Sequence, residues 1–215
     1  YTNWQGSRIL MEFTDPDEYN STKAESFKNM NKAVKRIIKA IELNKRILIY
    51  GDYDVDGITS TTILLLYLES LGTRVSYHIP DRFKEGYGMN KNVIKDKAES
   101  TDLILSCDCG ISNYEEIKLA KKLNLEVIVT DHHDLPEKLP PADEILTPKF
   151  FNEDHKAKYL VGAGMAYYFV KGIENYIEKN NLKLKSQINS EDFLDLLSLA
   201  IVADVLPLTA ENLYL

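Results

Sequence analysis

The chain has 215 residues, 44% of them hydrophobic and 27% charged, with a formal net charge of −7. That length suits one large α/β domain or two small ones with a sizeable core, and the composition is that of an ordinary globular protein. No apolar run approaches the ~18 residues of a membrane span, no secretion signal is visible at the start, and the acidic balance leaves no overall footprint for nucleic acid.

Residues 1–20 are irregular and polar, with Asp15-Pro16 breaking any helix, and they carry no functional signal. Residues 21–44 are predicted as one long helix, with Met30, Val34, Ile37, Ile38 and Ile41 on a single face at spacings of three and four. The stretch RILIYGDYDVDGITSTTILLLYL, residues 46–68, follows. It opens as a buried strand (Ile47, Leu48, Ile49, Tyr50), passes through a turn bearing Asp52, Asp54 and Asp56 closed by Gly57, and enters a predicted helix over 59–71 that ends at Gly72. A second β-rich run covers 74–79 and stops at Pro80. The pattern then repeats, with a short helix over 90–99, a strand over 102–107 (DLILSC), a helix over 113–123, a strand over 125–130 (LEVIVT), a Pro-rich loop over 134–142 and a short strand over 144–147. Two helices, 163–180 and 191–203, complete the series. Strands alternating with helices at this spacing predict an α/β fold: a doubly wound, mainly parallel sheet flanked by helices, with a C-terminal helical annex and right-handed crossovers. One domain over 21–215 is the economical division. The two cysteines, Cys107 and Cys109, flank an Asp away from metal-finger spacing, and a reducing cytoplasm is the expected compartment.

Three alternating acids after a strand repel one another and raise each other's pKa, so a cation is expected among them. D-x-D-x-D-G also begins an EF-hand calcium loop, but that loop needs a preceding helix and a Glu at its twelfth position. Here a strand precedes, and the twelfth position from Asp52 is Ile63. Phosphate-cradling loops are excluded as well, because neither GxGxxG nor GxxxxGK[ST] is present. A solvated turn with capping duties would account for one or two of the acids and hardly for all three.

Ligands of an open parallel sheet bind outside the carboxyl ends of its strands. Asp52, Asp54 and Asp56 follow the first strand, Asp108 follows DLILSC, and Asp131-His132-His133 follows LEVIVT. Singly each is weak, since an Asp after a strand is often a helix cap and a lone His is usually structural. Together they predict a metal site, joined by Asp204 in the apolar run AIVADVLPL, where an unpaired carboxylate is costly to bury. Oxygen-rich ligands with imidazole suit Mn2+ or Mg2+ rather than structural zinc, and the carboxylates suffice for two ions, the arrangement used for in-line displacement at phosphorus.

GDYDVDG, SCDCG, TDHH and VADVLPL resemble the four motifs of the DHH phosphoesterase superfamily. PDRFKEGYGMN, VGAGMAYYF and NMNKAVKRIIKAIE are similar to segments of RecJ-type 5′→3′ single-stranded-DNA exonucleases, and the likeness runs from about residue 27 onward. The resemblance implies that Asp54 and Asp108 hold one ion and that Asp56, Asp108, His132 and Asp204 hold the other. Asp108 would bridge them, and His133 would face the scissile phosphate as a catalytic and substrate-binding residue beside Asp108 and Asp56. Many superfamily members have a metal-ligand His where this chain has Tyr50, which leaves the first site weaker, completed by water, or helped by Asp52. Arg82 and Tyr87 are candidates for backbone contact and base stacking, against a salt-bridged loop with a packed Tyr. Gly162 is a candidate for phosphate contact at a helix start, behind close packing as the reason for the glycine. The C-terminal substrate domain and oligonucleotide-binding barrel of RecJ-type enzymes are not in this sequence, which resembles their N-terminal DHH domain.

The expected function is therefore a metal-dependent phosphodiesterase, the catalytic domain of a single-stranded-DNA exonuclease in DNA repair and recombination, with weak or no activity expected of this chain by itself. The alternatives are a phosphoesterase for short oligonucleotides, cyclic dinucleotides or polyphosphate, and a non-catalytic replication scaffold. A scaffold has no reason to keep so costly a cluster. Single-strand-binding or helicase partners are not readable from the residues.

Overall fold

The computed structural model of the chain describes residues 19–184, 186–208 and 211–215, so the irregular segment expected at the start lies almost wholly outside the described residues. Five strands, β1 (Arg46–Tyr50), β2 (Arg74–His78), β3 (Leu103–Cys107), β4 (Glu126–Thr130) and β5 (Glu144–Leu146), form one sheet in the order β2-β1-β3-β4-β5. Every pairing is parallel, from Tyr50 against His78 and Ser106 to Thr130 against Leu146.

Parallel strands covered on both sides read as continuous apolar runs, because successive side chains point to opposite faces and both must be dry. Along β1, Ile47 and Ile49 enter one core while Leu48 and Tyr50 enter the other. The first core is roofed by α1 (Met30–Glu42), α2 (Val55–Ser70), α5 (Gly162–Lys179) and α6 (Leu194–Ala203); the second by α3 (Lys91–Lys97) and α4 (Tyr114–Lys122). A short helix, α7 (Glu211–Tyr214), is pinned by the buried Glu211, whose carboxylate accepts from the Tyr168 hydroxyl, the Thr22 amide at 2.7 Å and Tyr19 Oη at 2.7 Å. No helix among the described residues is long and apolar enough to cross a membrane.

Three helix boundaries differ from the sequence reading. The helix expected over 21–44 begins at Met30, because Asn29 takes a left-handed conformation (φ 68°) and Phe27 turns into the core against Phe151 and Tyr168. The helix expected over 59–71 begins four residues earlier: Asp54 is its N-cap, accepting the Gly57 amide at 2.8 Å, so Asp56 lies in the first helical turn. The last expected helix opens as a tight 3-10 turn over Ser190–Phe193 before α6.

Candidate metal centre

In the order β2-β1-β3-β4-β5 the chain leaves β1 in one direction and returns past it to β3, which opens a crevice at the carboxyl ends of those two strands. The loops after β1, β3 and β4 meet there. Asp52 is buried and binds back on its own loop, its Oδ1 accepting the Tyr53 amide at 2.8 Å. Asp56, also buried, receives two backbone amides from the start of α5: Gly162 N–H to Oδ2 at 2.6 Å and Ala163 N–H to Oδ1 at 2.7 Å. A helix N-terminus has free N–H groups and a positive dipole end, and Asp56 satisfies both.

Asp108 follows β3 in the left-handed region (φ 58°), and its amide extends the ladder by donating to the Thr130 carbonyl at 3.0 Å. That backbone turns its carboxylate under α5, so closely that a Cβ on Gly162 would stand 2.8 Å from Asp108 Cβ and 2.9 Å from its Oδ1. Oδ1 is buried and has no aligned donor among the described residues. His132 Nε2 stands 3.1 Å from it, 3.5 Å from Asp56 Oδ2 and 3.9 Å from Asp204 Oδ2. Three sets of ligand atoms each fit within 4.8 Å: Asp52, Asp54 and Asp108; Asp56, His132 and Asp204; Asp108, His132 and His133.

The electrostatics follow from that crowding. Burial, and then the carboxylates of Asp56 and Asp54, push the Asp108 carboxyl far above its usual range. Burial raises Asp56 too, against the lowering by its two amides, and Asp204 and Asp54 add to the rise. Asp204 is raised by burial and by Asp54. His132 is depressed by burial and by the neighbouring His133, which keeps the imidazole neutral, the form that binds metal. A buried carboxylate oxygen without a donor, ringed by further carboxylates and a neutral imidazole, fits a divalent cation with oxygen preference.

A family model described as the DHH family, N-terminal domain, matches residues 46–201. The chain belongs to this family. It is 36% identical over 209 residues to the single-stranded-DNA-specific exonuclease RecJ of Bacillus subtilis (strain 168), a match covering 97% of this chain and 25% of that protein. It is likewise 36% identical over 186 residues to RecJ of Haemophilus influenzae, covering 85% of this chain and 32% of the relative. A crystal structure of exonuclease RecJ bound to manganese superposes with a TM-score of 0.77 at 32% identity, over 89% of this chain and 47% of that one. The chain thus spans a quarter to a third of the length of these curated relatives.

The acid of the DHH motif, Asp131, has a different surrounding from the clustered carboxylates. Asp131 Oδ2 accepts the Ile111 amide at 2.9 Å, and its Oδ1 takes His133 Nδ1 at 2.7 Å and the His133 amide at 3.1 Å. Burial alone would raise its pKa, but the His133 hydrogen bond and charge prevail, and the carboxyl is held below its usual range. The same hydrogen bond raises His133 against its own burial. Sequence reasoning counted Asp131 in the post-strand cluster but gave it no role of its own; a carboxylate two residues before a His, in reach of its amide, is the signal that it positions the ring.

Tyr87 reaches the same ring, its hydroxyl 3.2 Å from both His133 nitrogens and the two rings edge-on at 5.6 Å. Arg82 lies with its guanidinium carbon 5.4 Å from the centre of the Tyr53 ring, inside the DHH family's first acidic motif. Their loop is tied down by Glu85, which accepts the Asp81 amide at 3.2 Å and pairs with His78 at 2.8 Å, and it leaves Phe83 96% exposed. The Gly162 amide is committed to Asp56, and close approach to Asp108 is what this structure requires of the glycine. Tyr50, where the resemblance implies a metal-ligand His in many members, points into the second core, and its hydroxyl accepts the Asn90 amide at 3.0 Å. Asp52 stands with Asp54 and Asp108 in its place.

Proposed function

We propose that this DHH domain is a manganese- or magnesium-dependent phosphodiesterase acting on single-stranded DNA with 5′→3′ polarity, in repair and recombination, as the catalytic part of a RecJ-type exonuclease. The observation that carries the reading is the buried Oδ1 of Asp108, without an aligned donor among the described residues, at the centre of the acidic cluster. Asp54 and Asp108, with Asp52, would hold one ion; Asp56, Asp108, His132 and Asp204 would hold the other. Two such ions supply an activated water and neutralise charge on the phosphoryl oxygens. The chain's own groups do the rest. Asp56 is held by α5 and Asp108 by the strained turn after β3, so both carboxylates meet the substrate already oriented. His133, positioned by Asp131 and Tyr87 and with its pKa raised by the Asp131 hydrogen bond, faces the substrate as the group that hydrogen-bonds a phosphate oxygen. Arg82 and Tyr87 contact the polynucleotide backbone and a base. The unpaired thiols Cys107 and Cys109 support the cytoplasm as its compartment.

The test is incubation with 5′-labelled and 3′-labelled single-stranded DNA and manganese. The expected result is metal-dependent loss of label as mononucleotides from the 5′ end, abolished by Asp108→Ala. Hydrolysis confined to dinucleotides or polyphosphate would favour a small-substrate phosphoesterase.

A further inference from the structure

The carboxyl edge of the sheet has its charges in a set order. Asp52, Asp56, Asp108 and His132 follow the three inner strands, β1, β3 and β4. The loop after each outer strand carries a cation, after β2 in company with Asp81 and Glu85. Beyond β2 comes Arg82, laid over Tyr53; beyond β5 comes Lys149, which the sequence reading did not single out. Its backbone is fixed from both sides: Thr147 Oγ1 accepts the Lys149 amide at 3.2 Å, and the buried Lys158 ammonium donates to the Lys149 carbonyl at 3.2 Å and to Phe151 O at 2.8 Å. The Lys149 ammonium stands 3.1 Å from Asp134 Oδ1, on the residue next to His133, and 6.0 Å from the Tyr159 ring centre. The Asp134 side chain is 96% exposed, and an ion pair so open to water holds its partner weakly.

We propose that Lys149 is a second phosphate-contacting residue of this site, on the far side of the acidic centre from Arg82. A polynucleotide then lies across the carboxyl edge from the β2 loop to the β5 loop, and Asp134 occupies the ammonium until a backbone phosphate displaces it. The scale agrees. Four interstrand spacings of ~4.8 Å separate β2 from β5, about 19 Å, which spans several nucleotides, whereas a single nucleotide engages one flank only. The inference rests on the nucleic-acid reading above and adds the direction in which the strand runs and a residue that reading does not include.

The experiment is a salt titration of the manganese-loaded chain against a fluorescent phosphorothioate oligo-dT, which resists hydrolysis, starting at low ionic strength. Lys149→Ala is expected to weaken binding about tenfold, the loss of one charged contact. It should also reduce the slope of log K against log[salt] by about 0.7, the single-strand value for one phosphate. Lys149→Arg should keep both affinity and slope, and Asp134→Asn should bind as well as the unaltered chain or better. Manganese affinity by calorimetry should be the same in all four proteins. If Lys149→Ala binds within twofold of the unaltered chain with an unchanged slope, the proposal is wrong. It is equally wrong if Asp134→Asn matches the loss in Lys149→Ala, or if manganese affinity falls in step, because Lys149 would then act only by holding the histidine loop. No binding by the unaltered chain at low salt would overturn the nucleic-acid reading itself.

Discussion

Asp108 sits one residue past β3 at φ 58°, beneath α5, with a buried carboxylate oxygen that has no aligned hydrogen-bond donor among the described residues. Without metal, that oxygen carries the cost of an unsatisfied buried polar group, about 1–3 kcal/mol. Asn tolerates the same left-handed backbone and removes the charge. Asp108→Asn should therefore melt higher than the unaltered chain in EDTA, by roughly 2–10 °C for a chain of this size, and show no manganese-dependent hydrolysis. Asp52→Ala should keep part of its activity, since Asp52 serves only one of the ligand sets; equal residual rates for Asp52→Ala and Asp108→Ala at saturating manganese would contradict the assignment. Asp131 invites a different test. It touches His133 through two hydrogen bonds and belongs to none of the three ligand sets. Asp131→Asn is expected to lower turnover about a hundredfold by letting the ring swing, while calorimetry finds manganese binding unchanged.

At the level of elements, α5 is a fixed part of the centre because its first two amides hold Asp56. Gly162→Ala would drive a Cβ to 2.8 Å from Asp108 Cβ, against a carboxylate whose backbone cannot retreat. Overpacking of this kind costs about 1–3 kcal/mol, and here it also displaces a carboxylate of the acidic cluster. Both the melting temperature and manganese affinity should fall, whereas Gly164→Ala, which meets only the flexible Leu160 side chain at 3.0 Å, should affect stability alone. The inner strands β1, β3 and β4 were legible because they are buried on both faces and bounded by polar residues, whereas the exposed edge strand β2 showed only its β-rich composition. Helix starts were less so. Asp54 reads as one of three acids in a turn, yet it caps α2, and nothing local distinguishes a cap from a member of an acidic cluster when one carboxylate is both. Asn29 breaks α1 from its expected beginning because Phe27 has a tertiary partner to reach, which no periodicity reports. The convergence of Asp52, Asp54, Asp56, Asp108 and His132 was readable, since a parallel sheet delivers every post-strand loop to one edge. The tie from Asp56 to α5 was not, for its partners lie 106 and 107 residues away.

For the whole molecule, the acidic centre links stability to metal and to pH. A cation that binds only the folded state stabilises it by about 2.7 kcal/mol at a hundredfold excess over Kd, so manganese should raise the melting temperature by roughly 5–10 °C. Asp56→Asn or His132→Ala should blunt that rise. The metal-free protein should show a pH trend of its own. Asp108 and Asp56 have folded-state pKa values raised by burial and by neighbouring acids, so the folded chain binds more protons than the unfolded one. Their stabilisation is complete below the unfolded carboxylate value and is lost as pH rises through the raised one. His133, raised by Asp131, has the same sign, and its contribution fades above the unfolded histidine value. His132, depressed by burial, has the opposite sign and acts only below that value. Between about pH 7 and pH 9 the metal-free melting temperature should therefore fall as pH rises. In manganese the trend should reverse, because the ligands must be deprotonated to bind. Parallel curves with and without manganese over that range would refute the linkage.

The parallel order of the sheet also has a kinetic consequence. No two neighbouring strands are joined by a tight turn, so each pairing requires a crossover, and the clamp from α5 to Asp56 closes a loop of 106 residues. Loop-closure entropy is spent before such distant contacts stabilise anything, which places the clamp late on the folding route. A centre assembled after the barrier is blind to the rate of folding and governs the rate of escape. Manganese should therefore slow unfolding in denaturant by the full factor of its stabilisation and leave the refolding limb of the chevron where it was. Metal uptake in stopped flow should trail the recovery of helical signal, and the ion would act as a lock on the finished domain rather than a guide to its formation.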